Sequence, residues 1–343
     1  MPIISDFSLS ELTALLADWG EPVYRARQIW EGLYRHFYAS AEEFTALPKA
    51  LRRRLAETFD FAPLTPAAQV ASQDGQTVKT LFRLPDGLHI EAVLMKYDRR
   101  RTLCISTQAG CAMGCVFCAT GQMGFKRHLT SGEIVAQVMY YARLLQQTEA
   151  SRVTNIVIMG MGEPFHNYDN TLAAVDRLND PAGYNFGARR ITISTVGLVP
   201  AIRRFTQERR QVNLAISLHA ADDALRASML PVAKAYPLDE LLAACRDYAQ
   251  TTGRRVTFEW ALIEGVNDTP EQARLLASKV KGMLCHVNAI PLNPTAGYGG
   301  AASSRQRAEK FKETLEQAGV PCTIRLRRGI EIQAGCGQLV FLG

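Results

Sequence analysis

The sequence predicts an α/β protein built on a parallel sheet covered by helices. Three observations carry this. Apolar runs recur at 102–107, 153–159, 190–194, 212–218, 256–263 and 286–292, each nearly continuous in hydrophobicity, as strands buried on both faces are. Helical patterns with clear start and stop signals fall between them. The stretch before them, residues 1–96, follows other periods. Six strand–loop–helix units are too few for a closed eight-fold barrel. A partial barrel and an open doubly wound sheet both fit.

The elements follow in order. Residues 8–60 read as helical, with Leu12, Leu15 and Leu16, then Ile29, Leu33 and Phe37, at helical spacing. Gly20 and Pro22 separate the first two helices, and Pro48 opens a short basic one. From residue 67 the period changes. Val78, Thr80 and Phe82 alternate, Pro85-Asp86-Gly87 is a turn, and Ile90, Ala92 and Leu94 alternate again, which is a β-hairpin pattern. A domain boundary is expected near residue 97, with an accessory unit over 1–96 and a core over 97–343. Within the core, Thr130 and Glu133 have capping-box spacing. Thr269 and Pro270 suit the start of a helix and Gly282 its end. A last helix is expected to start at Ser303 and stop at Gly319.

Composition narrows the class. With 343 residues, 47% apolar and 21% charged, the chain is neither collagen-like, coiled-coil nor disordered. It is long enough to need no disulfide staples. No apolar run approaches the ~18–20 residues of a membrane span. The N-terminus carries Asp6 and Glu11 and has no basic segment followed by an apolar one, so it does not read as a secretory signal. A cytoplasmic protein is expected, where eight sparse cysteines point to metal binding or chemistry rather than a disulfide scaffold. The net charge is +6, split as −2 over residues 1–96 and +8 over the rest. Arginines cluster at 99–101, 203–204, 209–210, 254–255 and at 325, 327 and 328. That surplus is compatible with a polyanionic partner, and equally with a solvated basic face.

The sharpest local signal is Gln108-Ala-Gly-Cys111-Ala-Met-Gly-Cys115-Val-Phe-Cys118. Three thiols lie in eight residues of a glycine-containing loop directly after a strand. C-x3-C-x2-C suits three irons of a [4Fe–4S] cube and leaves the fourth without a protein ligand, open to substrate or cosubstrate. The alternatives are a structural zinc site, completed by Cys104 or His128, and inert buried cysteines. Polar residues also gather at strand ends. Gly162-Glu163-Pro164 follows 153–159, Ser194 closes 190–194, Ser217-Leu218-His219 closes 212–218, and Asn293 follows 286–292. Taken singly each is a loop-capping residue; together they point to one mouth at the C-terminal ends of the strands.

The cysteine motif, with Phe117 before its last cysteine, resembles the radical S-adenosylmethionine (SAM) superfamily. The resemblance implies a partial (β/α)6 barrel. It implies one [4Fe–4S] cluster on Cys111, Cys115 and Cys118, whose open iron holds SAM and cleaves it to a 5′-deoxyadenosyl radical. More narrowly, MGMGEP (159–164), ISTVG (193–197), AISLH (215–219), CHVNAIPLN (285–293) and AGCGQL (334–339) resemble the RlmN/Cfr adenosine methyltransferases, over about residues 20–340. By that resemblance Gly162 and Glu163, Ser194, Ser217, Leu218, His219 and Asn293 bind SAM, with Glu163 on its amino group.

Two further cysteines and a carboxylate enter the same way. An aromatic carbon of adenosine has no lone pair to attack a sulfonium, so a carbon radical is the sensible route and needs a methyl carrier. The family implies that Cys336 becomes that carrier, as S-methylcysteine, so that two SAM are used per turnover. Cys104 matches its second catalytic cysteine, leaving a transient disulfide with Cys336, and Glu91 its proton acceptor. Read without the resemblance, a cysteine in an apolar strand is core and a glutamate in an alternating one faces water. The family usually has an acid and Ala-Cys-Gly-Gln around the carrier; here Gln333 replaces the acid and Gly335 precedes Cys336. Cys245, Cys285 and Cys322 read as core. The implied substrate is C2 of an adenosine in 23S rRNA and of the adenosine 3′ of the tRNA anticodon. The implied donor is a flavodoxin or ferredoxin, and the chain is expected to be a monomer. The alternatives are C8 methylation of the same rRNA adenosine, as in Cfr, a non-methylating radical SAM enzyme, and a zinc RNA-binding module.

Overall fold

The computed structural model describes residues 1–325 and 327–339. The N-terminal part is helical: α1 (Leu9–Asp18), α2 (Tyr24–Tyr34) and α3 (Lys49–Thr58). Ser8 and Glu11 close a capping box on α1, and Pro48 sits immediately before α3. A meander follows: β1 (Thr65–Ala71), β2 (Thr77–Arg83), β3 (His89–Tyr97) and β4 (Arg100–Cys104). Then come β5 (Gln108–Gly110), α4 (Ala119–Gln122) and β6 (Phe125–His128), and after them α5 (Ser131–Glu149), β7 (Asn155–Ile158) and α6 (Tyr168–Asn179). The alternation continues with β8 (Ile191–Thr195), α7 (Val199–Glu208), β9 (Asn213–Ser217), α8 (Asp223–Met229) and α9 (Leu238–Thr252). It ends with β10 (Val256–Leu262), α10 (Pro270–Val280), β11 (Cys285–Pro291), α11 (Arg305–Gln317) and β12 (Cys322–Ile324).

One ten-stranded sheet runs β1-β2-β3-β4-β7-β8-β9-β10-β11-β12. Pairing is antiparallel from β1 to β4 and parallel from β4 to β12. Its ends, β1 and β12, are not paired with each other, so the barrel is partial. The six expected strands are β4, β7, β8, β9, β10 and β11. Strand β12, the first strand of the meander and the small β5–β6 ribbon were not expected. They are short, or in the case of β1 exposed at every residue, and carry little apolar signal.

Strand alternation sorts the side chains. On β10, Phe258, Trp260 and Leu262 are fully buried; Trp260 packs on Phe311 of α11, with ring centroids 5.4 Å apart. Glu259 and Ala261 point the other way, into the barrel. The N-terminal helices share the core of the barrel rather than forming a separate one. Asp6 Oδ1 accepts from Gly132 N–H at 2.6 Å and from the Ser131 hydroxyl at 3.0 Å, capping α5 from outside. The Arg177 guanidinium on α6 donates to the carbonyls of Asp6 and Phe7. The boundary expected near residue 97 falls between β3 and β4, which are hydrogen-bonded neighbours. The last helix begins one residue later than expected. Ser304 caps α11, while the Ser303 hydroxyl donates to buried Asp268 at 2.6 Å.

Candidate active site

The inward faces of β8 to β11 and the loops that follow them enclose one cavity at the C-terminal ends of the strands. Its walls include Gly162, Glu163, Ser194, Ser217, His219 and Asn293, all drawn from the expected strand ends, and the three clustered cysteines, Cys111, Cys115 and Cys118. Leu218 is the exception. It is fully buried away from the cavity, with its N–H donating to the Glu259 carbonyl at 3.0 Å. Its side chain lies just past β9, which ends at Ser217, and packs into the core.

The cysteine loop is tied down at several points. Cys111 N–H donates to the Gly124 carbonyl at 3.0 Å, and Val116 N–H to that of Met229 at 3.1 Å. Phe117 meets His219 edge-on, with ring centroids 4.9 Å apart. Burial pushes the Cys111 thiol up to about 12 and those of Cys115 and Cys118 upward as well. Three neutral thiols gathered in a low-dielectric cavity suit a cationic cluster, whose own charge deprotonates its ligands. Neither Cys104 nor His128 lines this cavity. His128 Nδ1 instead accepts from Gln108 Nε2 at 3.0 Å. Among the described residues no three His, Cys, Asp or Glu side chains converge on a single ion. A zinc shell needs such convergence, whereas a cube takes each cysteine on a different iron. Three thiols on one loop fit a cluster with one open corner.

Glu163 is 2% exposed. Its Oε1 accepts from Phe165 N–H and its Oε2 from Val196 N–H, both at 2.9 Å. Burial outweighs these bonds and pushes the carboxyl up to about 7. Among the described residues no side-chain cation pairs with it, so the cavity holds a buried carboxyl suited to a ligand ammonium. Gly162, at φ +104°, makes the turn possible: a Cβ there would stand 2.6 Å from Gln108 Cβ. The Gln108 amide completes the support, accepting from Glu163 N–H at 2.8 Å. Asn293 Nδ2 donates to the Cys336 carbonyl at 3.0 Å, and its buried Oδ1 has no partner among the described residues. That is an acceptor waiting for a ligand donor. Burial, with Arg226 nearby, lowers His219 to about 3, and its Nδ1 accepts from Ala261 N–H at 2.9 Å. The ring is therefore neutral, with its proton on Nε2. These groups fit SAM: an amino group, a carboxylate and a nucleoside each find a complementary partner.

The chain then crosses the mouth. Arg325 N–H donates to the Ala289 carbonyl, Gly337 and Leu339 accept from Ala119 N–H and the Thr120 hydroxyl, and Gln338 Nε2 donates to the Pro294 carbonyl. The described part of this segment is thus hydrogen-bonded to the barrel at several points. Cys336 lines the first cavity and also a second, whose walls include Cys104, Tyr97, Arg325, Arg327 and Arg328. The residue is exposed at this mouth, yet the protein atoms around its Sγ and the Glu259 carboxylate push its thiol up to about 11. Burial and Cys336 push the Cys104 thiol up to about 12. All eight cysteines are free. Glu91 is buried at 3% exposure, against the expectation that it faces water. It lines neither cavity.

Two family descriptions match the chain: the radical SAM superfamily over residues 105–277, and the ribosomal RNA large subunit methyltransferase N-terminal domain over residues 4–60. The Myxococcus xanthus protein named dual-specificity RNA methyltransferase RlmN 1 is 50% identical, over 97% of this chain and 93% of the relative. The Chloroflexus aurantiacus protein named a probable dual-specificity RNA methyltransferase RlmN is 52% identical, over 97% and 91%. A crystal structure of a radical SAM methyltransferase from Sphaerobacter thermophilus superposes with a TM-score of 0.97 at 52% identity, covering 99% of each chain. The chain belongs to the RlmN family of radical SAM enzymes.

Membership in the radical SAM superfamily implies an iron–sulfur cluster and SAM, and the first cavity holds the residues that fit them. Sequence reasoning missed several residues around it. Glu259 lines the first cavity, is pushed up to about 7 by burial, and accepts from Asn288 Nδ2 at 2.7 Å. Its signal was available, since it is a lone acid inside the apolar run 256–263. Gln108, which supports Glu163, left no such signal. Among the described residues no helix is long and apolar enough to cross a membrane.

Proposed function

We propose that this protein methylates C2 of an adenosine in 23S rRNA, and of the adenosine 3′ of the anticodon in tRNA, with Cys336 carrying the methyl group between its two cavities. The family membership supports radical SAM methylation of RNA. The observation that carries the finer reading is the position of Cys336 in the wall shared by a cavity suited to SAM and an arginine-lined cavity that also holds Cys104. The arginines suit the phosphates of an RNA strand, and a target base must leave its stack to reach the cysteines behind them.

What a [4Fe–4S] cluster on Cys111, Cys115 and Cys118 supplies is the electron that cleaves the SAM sulfonium to a 5′-deoxyadenosyl radical. The rest falls to the chain's own residues. Glu163, Ser194, Ser217, His219 and Asn293 hold and orient SAM. Cys336 Sγ, after losing its proton, takes the methyl of a first SAM by displacement. With a second SAM in place, that methyl loses a hydrogen atom, and the carbon left on Cys336 adds to C2. Cys104 Sγ then bonds Cys336 Sγ as the thioether C–S bond breaks. The C2 proton passes to Glu91, the methylene gains a proton, and one electron leaves to the redox partner. A donor of the flavodoxin or ferredoxin kind completes the cycle, and the chain acts as a monomer.

Cys336→Ala tests the reading. The variant is expected to bind its cluster and to lose RNA methylation entirely. Wild-type methylation by that variant would end the carrier role. Nucleoside mass spectrometry of treated rRNA is expected to give 2-methyladenosine, and predominance of 8-methyladenosine would assign the other carbon.

A further inference from the structure

The C-terminal segment that carries Cys336 does not rest on the barrel alone. Its outer part lies against the inward face of the β2–β3 hairpin. Pairing aligns Lys79 with Val93 and Val93 with Cys104 across β2, β3 and β4, so these side chains share one face. Glu91, two residues from Val93, lies on the same face. Lys79 Nζ stands 2.8 Å from Glu91 Oε1 and also donates to the Gln333 carbonyl at 3.3 Å. Further along, Arg328 Nη1 donates to the Lys96 carbonyl at 3.3 Å. Gln333 occupies a positive φ of 52° three residues before Cys336. One ammonium therefore touches both the buried carboxylate and the loop that bears the carrier cysteine.

We propose that Lys79 is a positioning residue for adduct release: it fixes Glu91 relative to the Cys336 loop, so that the carboxylate meets the C2 proton once the base is bridged to Cys336. The inference rests on the reading of Glu91 as proton acceptor. In the step concerned, the C2–H bond breaks, the proton bonds a Glu91 carboxylate oxygen, and the bonding pair stays with the ring. Lys79 transfers nothing. Gln333 stands 254 residues from Lys79 and belongs to no strand, so sheet pairing does not hold its loop in register with Glu91. The lysine supplies that register. Its side chain is 12% exposed and that of Glu91 4%, so the pair is shielded from the competition with water that weakens surface ion pairs.

The test follows release rather than overall activity. Anaerobically reconstituted full-length protein is given SAM, reductant and tRNA, and three quantities are read: 5′-deoxyadenosine formed, the thioether-linked protein–RNA species on a denaturing gel, and methylated RNA released. Lys79→Met is expected to form 5′-deoxyadenosine within about two-fold of wild type and to raise the ratio of linked to released RNA about ten-fold or more, one 1.4 kcal/mol decade in partitioning. Lys79→Arg, which keeps a cation, is expected to restore release. Removing one partner of a buried pair can also destabilise the chain, so the double variant Lys79→Met/Glu91→Gln is measured beside Glu91→Gln. If Lys79 acts through Glu91, the two show the same linked fraction. The proposal is overturned if Lys79→Met releases RNA as wild type does, if it loses 5′-deoxyadenosine formation in proportion, or if the double variant traps clearly more than Glu91→Gln. Should Glu91→Gln itself release normally, it is the acceptor reading of Glu91 that fails.

Discussion

At the scale of single residues, the site is organised by polar groups that the protein leaves incomplete. A buried carboxyl at Glu163 and, among the described residues, an unpartnered Oδ1 at Asn293 cost folding energy unless a ligand answers them. Asn293→Ala removes the waiting acceptor and the hold on the Cys336 carbonyl together. It is expected to weaken SAM binding about ten-fold, equivalent to about 1.4 kcal/mol, as read by equilibrium dialysis. The pH dependence of His219 has a definite sign. Its folded value of about 3 lies below the ordinary 6.5, so the unfolded chain binds the proton more tightly. Stability is full above about 6.5 and is lost as pH falls from there toward 3. A His219→Gln variant, monitored by urea unfolding at pH 7 and pH 5, is expected to show a smaller loss across that interval than wild type; an equal loss would show that other groups govern it. These residues were half legible in advance. Strand-end placement pointed to Glu163, Ser194, Ser217, His219 and Asn293, because an end-of-strand polar residue is visible in a linear pattern. Leu218 came along with its neighbours, and its side chain packs into the core just past the end of β9.

At the scale of elements, the strands that build the site were readable because both their faces are covered, which leaves an apolar run in the sequence. Strand β1 and the β5–β6 ribbon have no such run, and their pairing is a tertiary fact. Cap signals transferred well: Thr130 with Glu133, and Thr269 with Pro270, stand where expected. Ser303 was misplaced by one residue because two serines stand side by side, and only the structure shows which of them Asp268 takes. The cap that links the accessory helices to the barrel, Asp6 on the N-terminus of α5, could not be seen at all, since 126 positions separate its partners. Asp6→Ala is expected to cost about 1 kcal/mol in urea unfolding, the usual value of a lost helix cap, while leaving the α1 capping box intact. Gly162→Ala is expected to cost more, because a Cβ would meet Gln108 and the positive φ is strained for alanine.

At the scale of the molecule, the N-terminal meander and the described part of the C-terminal segment meet over one site. The N-terminal meander extends the barrel sheet, and the C-terminal segment lies across its mouth, bringing Cys104, Cys336 and the arginines together from positions more than 200 residues apart. Composition gave only a diffuse surplus of +8 over the core; folding concentrates three of its cations at one cavity. Replacing Arg325, Arg327 and Arg328 by Gln is expected to weaken RNA binding and flatten its salt dependence by about 2–3 in the log–log slope, the share of three phosphate contacts. Binding that keeps the wild-type slope would place the RNA elsewhere. The central claim is that the methyl group reaches RNA by way of Cys336 and loses a hydrogen on the way. The most direct measurement supplies SAM with a fully deuterated methyl over several turnovers and weighs both products. The account predicts a methyl on adenosine that retains two deuterium atoms, with the third found in 5′-deoxyadenosine. A methyl delivered with all three deuterium atoms intact would contradict it.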